Sequence, residues 1–248
     1  MCSSDLGLSL RLHVEEMGDG GLTAILVHGL LSDHGAWCRV APALAARGYR
    51  LLMPDLRGHG LSPRGEYTPE AWAADLAENL PRGADLAIGH SLGGMALAIA
   101  VGELSPRRAV FVDPAWKTTP QQDLRYGLQF HAELDFDAVR LRAAHPLWAD
   151  EDIAARIASM ARFDPACIDA LVGGDGHDYA PKSLVTRSLV MLADPSDLVP
   201  APDARALQAA GFDVVAVPGS GHSVFRDDLD GFFAALDAWL LRRTASSW

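Results

Sequence analysis

Cysteine is scarce in this chain and follows no pattern. Cys2, Cys38 and Cys167 are far apart, and no C-x-x-C pair is present. An odd, scattered set of this kind is not typical of a disulfide framework or of a structural zinc site. A glycine-rich phosphate loop of the Walker or dinucleotide-binding type is also missing. We therefore expect a reduced, cytoplasmic protein that works without a metal or any other cofactor.

Basic residues and long apolar runs are also few. The chain has 21 Lys and Arg against 32 Asp and Glu, a formal net charge of −11 at pH 7. This balance argues against nucleic acid or an anionic membrane surface as a partner. No apolar run approaches the ~18 residues that a membrane-spanning helix requires, and the start does not read as a secretion signal. We expect a soluble protein whose partner is a small molecule.

What the chain does have is a regular alternation of short apolar segments and helical patterns. The β-rich apolar segments lie at 23–29, 49–54, 84–91, 108–115, 188–197 and 212–223, and a more polar strand is predicted at 8–18. Helical patterns follow most of them. Such alternation predicts an α/β fold, with a mainly parallel twisted sheet that carries helices on both faces.

The alternation stops in the middle of the chain. Residues 116–187 contain helical, aromatic-bearing stretches but no pattern of a buried strand. We interpret this segment as a helical cap inserted into an α/β core formed by residues 1–115 and 188–248. The glycines at 173–176 mark a loop where the insertion returns to the core.

One hydroxyl stands at a corner between a strand and a helix. Ser91 lies in the sequence Gly-His-Ser-Leu-Gly, which fits the G-x-S-x-G nucleophile elbow. In open α/β sheets, ligands collect beyond the carboxyl ends of the strands, where this serine falls. A serine needs a general base, and His222 follows the last predicted strand and reaches the same edge. Ser91 and His222 are therefore the candidate nucleophile and base.

Two aspartates could orient the imidazole of His222. Asp197 lies at the end of the segment 188–197, and Asp113 lies near the end of the segment 108–115. The order Ser91, Asp197, His222 matches the chain order usual for this arrangement. Chain order therefore favours Asp197, with Asp113 as the alternative.

A developing oxyanion needs backbone donors near the nucleophile. The amide N–H of Leu92, at the start of the helix after Ser91, is one candidate. The second is the amide N–H of Leu30, in the loop "VHGLL" that follows the strand at 23–29.

Five segments resemble proteins of the α/β-hydrolase fold, in the group with an HG-x oxyanion loop and a helical cap. They are "VHGLL", "PDLRGHGLSP", "GHSLGG", "ADPSDLVP" and "GSGHSVFRDD", and they occur in the expected order. The resemblance implies a serine hydrolase that cleaves a carboxylic ester or lactone through an acyl-enzyme. It departs at Ala193, where glycine is common.

A substrate with an apolar acyl or aromatic part is expected from the aromatic residues near the site and in the insertion. The pocket candidates are Trp37, Trp116, Tyr126, Phe130 and Trp148. Two alternatives remain. The same side chains could hydrolyse a C–C bond of a diketone, with Arg125, Arg140 or Arg142 as an anchor for a carboxylate. The chain could also be a non-catalytic ligand-binding protein on this fold.

Overall fold

A computed structural model describes residues 10–173 and 175–242. Its main sheet has seven strands in the order β1-β3-β2-β4-β5-β8-β9, parallel throughout except for β1. The strands are β1 Val14–Met17, β2 Leu22–Val27, β3 Tyr49–Pro54, β4 Leu86–His90, β5 Arg108–Val112, β8 Arg187–Leu192 and β9 Asp213–Ala216. The predicted α/β fold with a mainly parallel sheet is confirmed. Residues 8 and 9 of the predicted first strand lie outside the described residues, as does Gly174.

Ten α-helices lie within the described residues. They are α1 Val40–Ala45, α2 Pro69–Asn79, α3 Leu92–Leu104, α4 Pro120–Glu133, α5 Ala138–Ala144, α6 Asp150–Met160, α7 Ala166–Leu171, α8 Ala201–Ala209, α9 Val224–Asp227 and α10 Leu229–Leu241, with a 3₁₀ helix at His34–Trp37. No helix in the described ranges has the length and apolarity to cross a bilayer.

Helices cover both faces of the sheet. Along β2, Ile25 and Val27 pack into the cluster that contains α2 and α3, whereas Ala24 and Leu26 pack into the cluster that contains α1 and α10. Because successive side chains of a strand point to opposite faces, a strand buried on both sides is continuously apolar. This explains why the central strands appear in the sequence as short unbroken apolar runs.

The chain between β5 and β8 adds no strand to the seven-stranded sheet, as far as it is described. Residues 116–187, which we call the inserted segment, form α4 to α7 and a two-stranded ribbon of β6, Lys117–Thr118, and β7, His177–Asp178. The inserted segment follows β5 and leads into β8, and these two strands are hydrogen-bonded neighbours in the sheet. The ribbon was not predicted, because two-residue strands leave no periodic pattern.

The parallel strands bring their carboxyl ends to one edge of the sheet. The loops that follow β2, β4, β5, β8 and β9 therefore all begin at that edge, although they are far apart in sequence. Leu30, Ser91, Asp113, Asp197 and His222 each lie in one of these loops, and Leu92 begins the helix that follows Ser91.

Candidate active site

Ser91 occupies a strained turn between β4 and α3. Its backbone has φ 52° and ψ −118°, a conformation that residues with a side chain rarely adopt. Three backbone hydrogen bonds hold it there: Ser91 N donates to Val112 O at 3.1 Å, and Ser91 O accepts from Ala115 N and from Met95 N, each at 3.1 Å. The G-x-S-x-G serine is thus fixed at the edge of the sheet.

Gly93 allows the helix that follows Ser91 to approach the sheet. A Cβ added at this position would lie 2.3 Å from His28 O and 2.4 Å from Val27 O, both backbone atoms of the neighbouring strand and its loop. No side chain fits at such distances. The second glycine of the motif is therefore required by the close contact of α3 with the end of β2.

The carboxylate beside His222 is Asp113. His222 Nδ1 and Asp113 Oδ2 are 2.7 Å apart, and the aspartate is buried with 1% of its surface exposed. The other oxygen, Asp113 Oδ1, accepts hydrogen bonds from Ser196 Oγ at 2.6 Å and Ala193 N at 3.3 Å. Asp113 also has a positive φ, 38°, so its loop turns sharply at the end of β5. Both carboxylate oxygens of Asp113 thus have hydrogen-bond partners.

Asp197 lines the same cavity but is bonded to other residues, and the preference for it as the partner of His222 is wrong. Its side chain is 63% exposed, and its carboxylate accepts hydrogen bonds from Arg125 and Tyr126, the latter at 2.9 Å from the hydroxyl oxygen. Both of those residues belong to α4 of the inserted segment. The loop after β8 runs outward before it reaches Asp197, whereas Asp113 follows β5 directly.

His222 is also positioned through its backbone. The ring of His90, the residue before the serine, is buried, and its Nε2 lies 3.0 Å from His222 O. Burial, and then the nearby His222, hold the pKa of His90 well below its usual range, so the ring is neutral and Nε2–H can donate. His90 therefore links the loop of Ser91 to the loop of His222.

Two backbone N–H groups near Ser91 lack acceptors among the described residues. They belong to Leu92, the first residue of α3, and to Leu30, in the loop after β2. That loop lies against the serine: a Cβ added at Gly29 would be 3.0 Å from the Cβ of Ser91. Two donors are thus available beside the hydroxyl.

Ser91, Asp113 and His222 line one cavity of about 230 Å³. Its remaining walls come from Ala115 in the loop after β5, from the inserted segment and from the loop after β8. They are Ala115, Thr118, Tyr126, Gln129, Phe130, Leu171, Val172, His177, Ala193, Pro195, Asp197 and Leu198. Most of these side chains are apolar, and none of the described lining residues is Lys or Arg. The cavity suits a mainly apolar, uncharged group.

The sequence also matches the model of the Alpha/beta hydrolase family over residues 24–235. The chain belongs to this family. The resemblance predicted from the five motifs is confirmed, and the match covers both parts of the core and the inserted segment.

Relatives with assigned activities include a deformylase and esterases. The N-formylmaleamate deformylase of Pseudomonas putida is 29% identical over 251 residues, 93% of each chain. Esterase PIR7B of Oryza sativa subsp. japonica is 37% identical over 103 residues, covering 37% of this chain and 38% of that one. The crystal structure of the deformylase from Pseudomonas putida S16 has a TM-score of 0.77 at 22% identity, covering 92% of this chain and 96% of that one.

Of the five aromatic pocket candidates in this α/β hydrolase, Tyr126 and Phe130 line the cavity. The expectation is wrong for the three tryptophans. Trp37 stacks on Phe225, with ring centroids 4.5 Å apart, in the cluster on the other face of the sheet. A large aromatic residue near a catalytic loop satisfies the same pattern whether it faces the ligand or the core.

Trp116 and Trp148 hold the inserted segment to neighbouring helices through their indole N–H groups. The indole of Trp116 donates to Gly94 O at 3.1 Å, which ties the start of the inserted segment to α3. That of Trp148 donates to Asp227 Oδ1 at 3.0 Å, which ties the segment to α9. Both side chains are buried.

Three polar residues that line the cavity, Thr118, Gln129 and His177, were not among the predicted pocket residues. Thr118 Oγ1 and His177 Nδ1 are 3.1 Å apart, and His177 Nε2 lies 3.0 Å from Ala115 O. The Nδ1 of His177 therefore links β7 to β6, and its Nε2 links β7 to the loop after β5. Only the pairing of these short strands brings Thr118 and His177 to the cavity, so no sequence signal pointed to them.

One group within the described residues could in principle supply metal ligands. Atoms of His13, His34 and Asp55 lie within 4.8 Å of one another, away from the cavity. However, Asp55 Oδ1 accepts from the backbone N of His34 at 2.7 Å, and Oδ2 accepts from Leu61 N at 2.8 Å. These bonds explain why the carboxylate of Asp55 is buried, because it holds the backbone of two loops in place.

Proposed function

We propose that this α/β hydrolase is a serine hydrolase that cleaves an uncharged carboxylic ester or lactone. The observation that carries the proposal is the 2.7 Å contact of Asp113 Oδ2 with His222 Nδ1 in the same cavity as Ser91. A carboxylate bonded to Nδ1–H leaves Nε2 unprotonated and able to accept the serine proton. In this proposal Ser91 is the nucleophile, His222 the base and Asp113 the orienting acid.

The reaction proceeds in two acyl transfers. His222 Nε2 takes the proton of Ser91 Oγ as that oxygen attacks the carbonyl carbon, and the N–H groups of Leu30 and Leu92 bind the oxyanion. The tetrahedral intermediate then expels the alcohol, which receives the proton from His222. Water, deprotonated by the same nitrogen, attacks the acyl-enzyme and releases the acid. A lactone follows the same steps, with its alcohol and acid on one product.

The cavity supports an uncharged substrate. No cation lines it among the described residues, and two carboxylates do, Asp113 and Asp197. The net charge of −11 adds long-range repulsion of anions. A substrate such as N-formylmaleamate, which carries a carboxylate, would find no counter-ion there. We therefore propose ester or lactone hydrolysis for this chain, despite its similarity to the deformylase.

The same observation weakens the C–C hydrolase alternative. Its expected anchors were arginines of the inserted segment, but Arg125 is bound to Asp197, and Arg142 Nη2 donates to Asp150 Oδ1 at 2.6 Å. Neither these arginines nor Arg140 lines the cavity. A substrate with a second carboxylate thus has no partner in the cavity wall.

A fluorophosphonate probe and a matched substrate set test the proposal. The wild type should be labelled, and Ser91→Ala should not, which also separates an enzyme from a ligand-binding protein. A p-nitrophenyl ester of a short neutral acid, a valerolactone, an anionic analogue with a terminal carboxylate, a formamide and a diketone are then compared by kcat/KM. The neutral ester or lactone should be cleaved at least ten times faster than the others. Preferential cleavage of the anionic analogue, the formamide or the diketone would overturn the assignment.

A further inference from the structure

Helix α6 of the inserted segment reaches the loop that carries Leu30. Arg156 Nη1 donates to Leu30 O at 2.9 Å and lies 3.2 Å from Ser32 Oγ. One turn further along, Ser159 Oγ donates to Leu31 O at 3.0 Å. Two successive carbonyls of the loop are therefore bonded by side chains that come from more than 120 positions away in the sequence.

These bonds act where the loop backbone is strained. Leu31 has φ 57°, in the left-handed region that a residue with a branched side chain rarely adopts. Such a conformation persists only when the surrounding structure imposes it. The direction of the Leu30 N–H depends on the same short stretch of backbone. Releasing the two carbonyls would let this stretch relax and turn the N–H.

Arg156 is itself held rigidly. Its Nε donates to Glu133 Oε1 at 2.8 Å, and its Nη2 lies 2.7 Å from the same oxygen. Both side chains are buried. Although burial raises the pKa of Glu133, the charge of Arg156 and the hydrogen bonds from His145 and Arg156 outweigh it and lower the pKa to about 2. The pair is thus ionised, and a charged guanidinium makes a stronger bond to Leu30 O than a neutral donor would.

We propose that Arg156, assisted by Ser159, is a positioning residue that holds the Leu30 N–H in the direction needed to bind the oxyanion. The inference rests on the proposed function, because it assigns a role to a residue outside the cavity in the reaction at Ser91. Arg156 does not touch the substrate. It acts through the Leu30 and Leu31 carbonyls, and so the inserted segment contributes to turnover as well as to the walls of the cavity.

A purely structural tether would give a different result from a positioning residue. A tether stabilises the contact between the segment and the core, so its loss lowers the melting temperature and leaves the chemistry of the folded enzyme unchanged. A positioning residue changes how tightly the oxyanion is bound. Loss of a positioning residue lowers kcat with little change in KM. The same loss lowers, by the same factor, the affinity for a trifluoromethyl ketone, which forms an oxyanion adduct with serine.

The main test variant is Glu133→Gln/Arg156→Met. Replacing both partners avoids a buried unpaired charge, which would threaten folding. Removing an oxyanion donor outright costs ~10²- to 10³-fold in turnover, so a misdirected donor should lower kcat about 10- to 100-fold. Ser159→Ala is a smaller change that removes one hydrogen bond and should lower kcat less. Both should lower the affinity for the trifluoromethyl ketone in parallel with kcat.

Arg162→Met is the matched control. Arg162 also belongs to the inserted segment and pairs with Asp33 of the same loop, but it bonds a side chain and neither of the two carbonyls. This variant should keep kcat and ketone affinity close to the wild type, while its melting temperature reports the cost of leaving the buried carboxylate of Asp33 without this partner. A folded double variant with unchanged kcat and ketone affinity would refute the positioning role, as would an equal loss in Arg162→Met.

Labelling of Ser91 by the fluorophosphonate separates this inference from the proposed function, because it needs no knowledge of the substrate. A wild type that is labelled rapidly but cleaves no ester or lactone refutes the proposed substrate. In that case slower labelling of the double variant still supports the positioning role, and equal labelling overturns it. A wild type that is not labelled refutes both.

Discussion

Replacing Asp113 by asparagine exchanges one oxygen for an NH₂ group, and the structure determines which one. Asp113 Oδ1 accepts from Ser196 Oγ and Ala193 N, so the amide oxygen is best placed there. The NH₂ group then occupies the position of Oδ2, 2.7 Å from His222 Nδ1. Because a donor faces Nδ1, the imidazole must carry its proton on Nε2. That tautomer cannot accept the proton of Ser91.

The expected effect of Asp113→Asn is therefore large. In serine proteases the equivalent exchange lowers turnover ~10⁴-fold, which is about 5 kcal/mol of transition-state stabilisation. We expect kcat of Asp113→Asn on a p-nitrophenyl ester to fall by ~10³- to 10⁴-fold, with a smaller change in KM. Initial rates measure this, and circular dichroism and thermal melting establish that the variant is folded.

Asp197→Asn is the matched control for Asp113→Asn, since it makes the same chemical change at the same edge of the sheet. It weakens an exposed ion pair with Arg125, and exposed pairs contribute ~0–1 kcal/mol, so kcat should stay within about fivefold of the wild type. The reasoning fails if a folded Asp113→Asn keeps kcat within tenfold of the wild type, or if Asp197→Asn is the slower variant.

Gly93→Ala places a Cβ 2.3 Å from His28 O, so we expect it to lower the free energy of unfolding by about 1–3 kcal/mol and to reduce turnover. Gly102→Ala on the same helix meets nothing within 4 Å and should be neutral or slightly stabilising; equal melting temperatures for the two would contradict the packing argument. The pKa of Glu133 is lowered from 4.5 to about 2, so its ionised form stabilises the fold fully above pH 4.5 and less as the pH falls towards 2. The stability gap between wild type and Glu133→Gln, measured by urea unfolding, should therefore narrow below pH 4.5 by up to about 3 kcal/mol, and an equal gap at pH 3 and pH 6 would refute this. EDTA should leave ester hydrolysis unchanged, because every proposed step uses side-chain and backbone groups, and a loss that zinc restores would argue against the mechanism.

Local sequence patterns were sufficient to predict the sheet and to predict that Ser91 and His222 lie at the same edge of it. The G-x-S-x-G motif predicts its own turn, since the glycines and the strand-to-helix switch are contiguous in the chain. His222 follows the last strand, and a parallel sheet brings all such loops to one edge. The topology of the sheet alone therefore predicts that Ser91 and His222 are close together.

The acid could not be chosen in this way. β5 and β8 are adjacent and parallel, with Val112 opposite Met191, so the two aspartates follow neighbouring strands. What separates Asp113 from Asp197 is the path of each loop, a sharp turn at positive φ in one and an outward excursion in the other. Loop paths depend on long-range contacts such as that of Tyr126 with Asp197. For the same reason the three tryptophans were misplaced.

The inserted segment is fastened to two loops of the active site at once. Arg156 and Ser159 hold the loop of Leu30, and Trp148 bonds Asp227, whose other oxygen accepts from Gly221 N beside His222 at 2.8 Å. Suppose that this segment is exchanged for that of a relative, in search of a new substrate range. Under the proposed function, the exchange also removes the side chains that hold the loops of Leu30 and His222 in place. Such chimeras need these three side chains grafted along with the new walls, or the gain in substrate range comes with a slower enzyme.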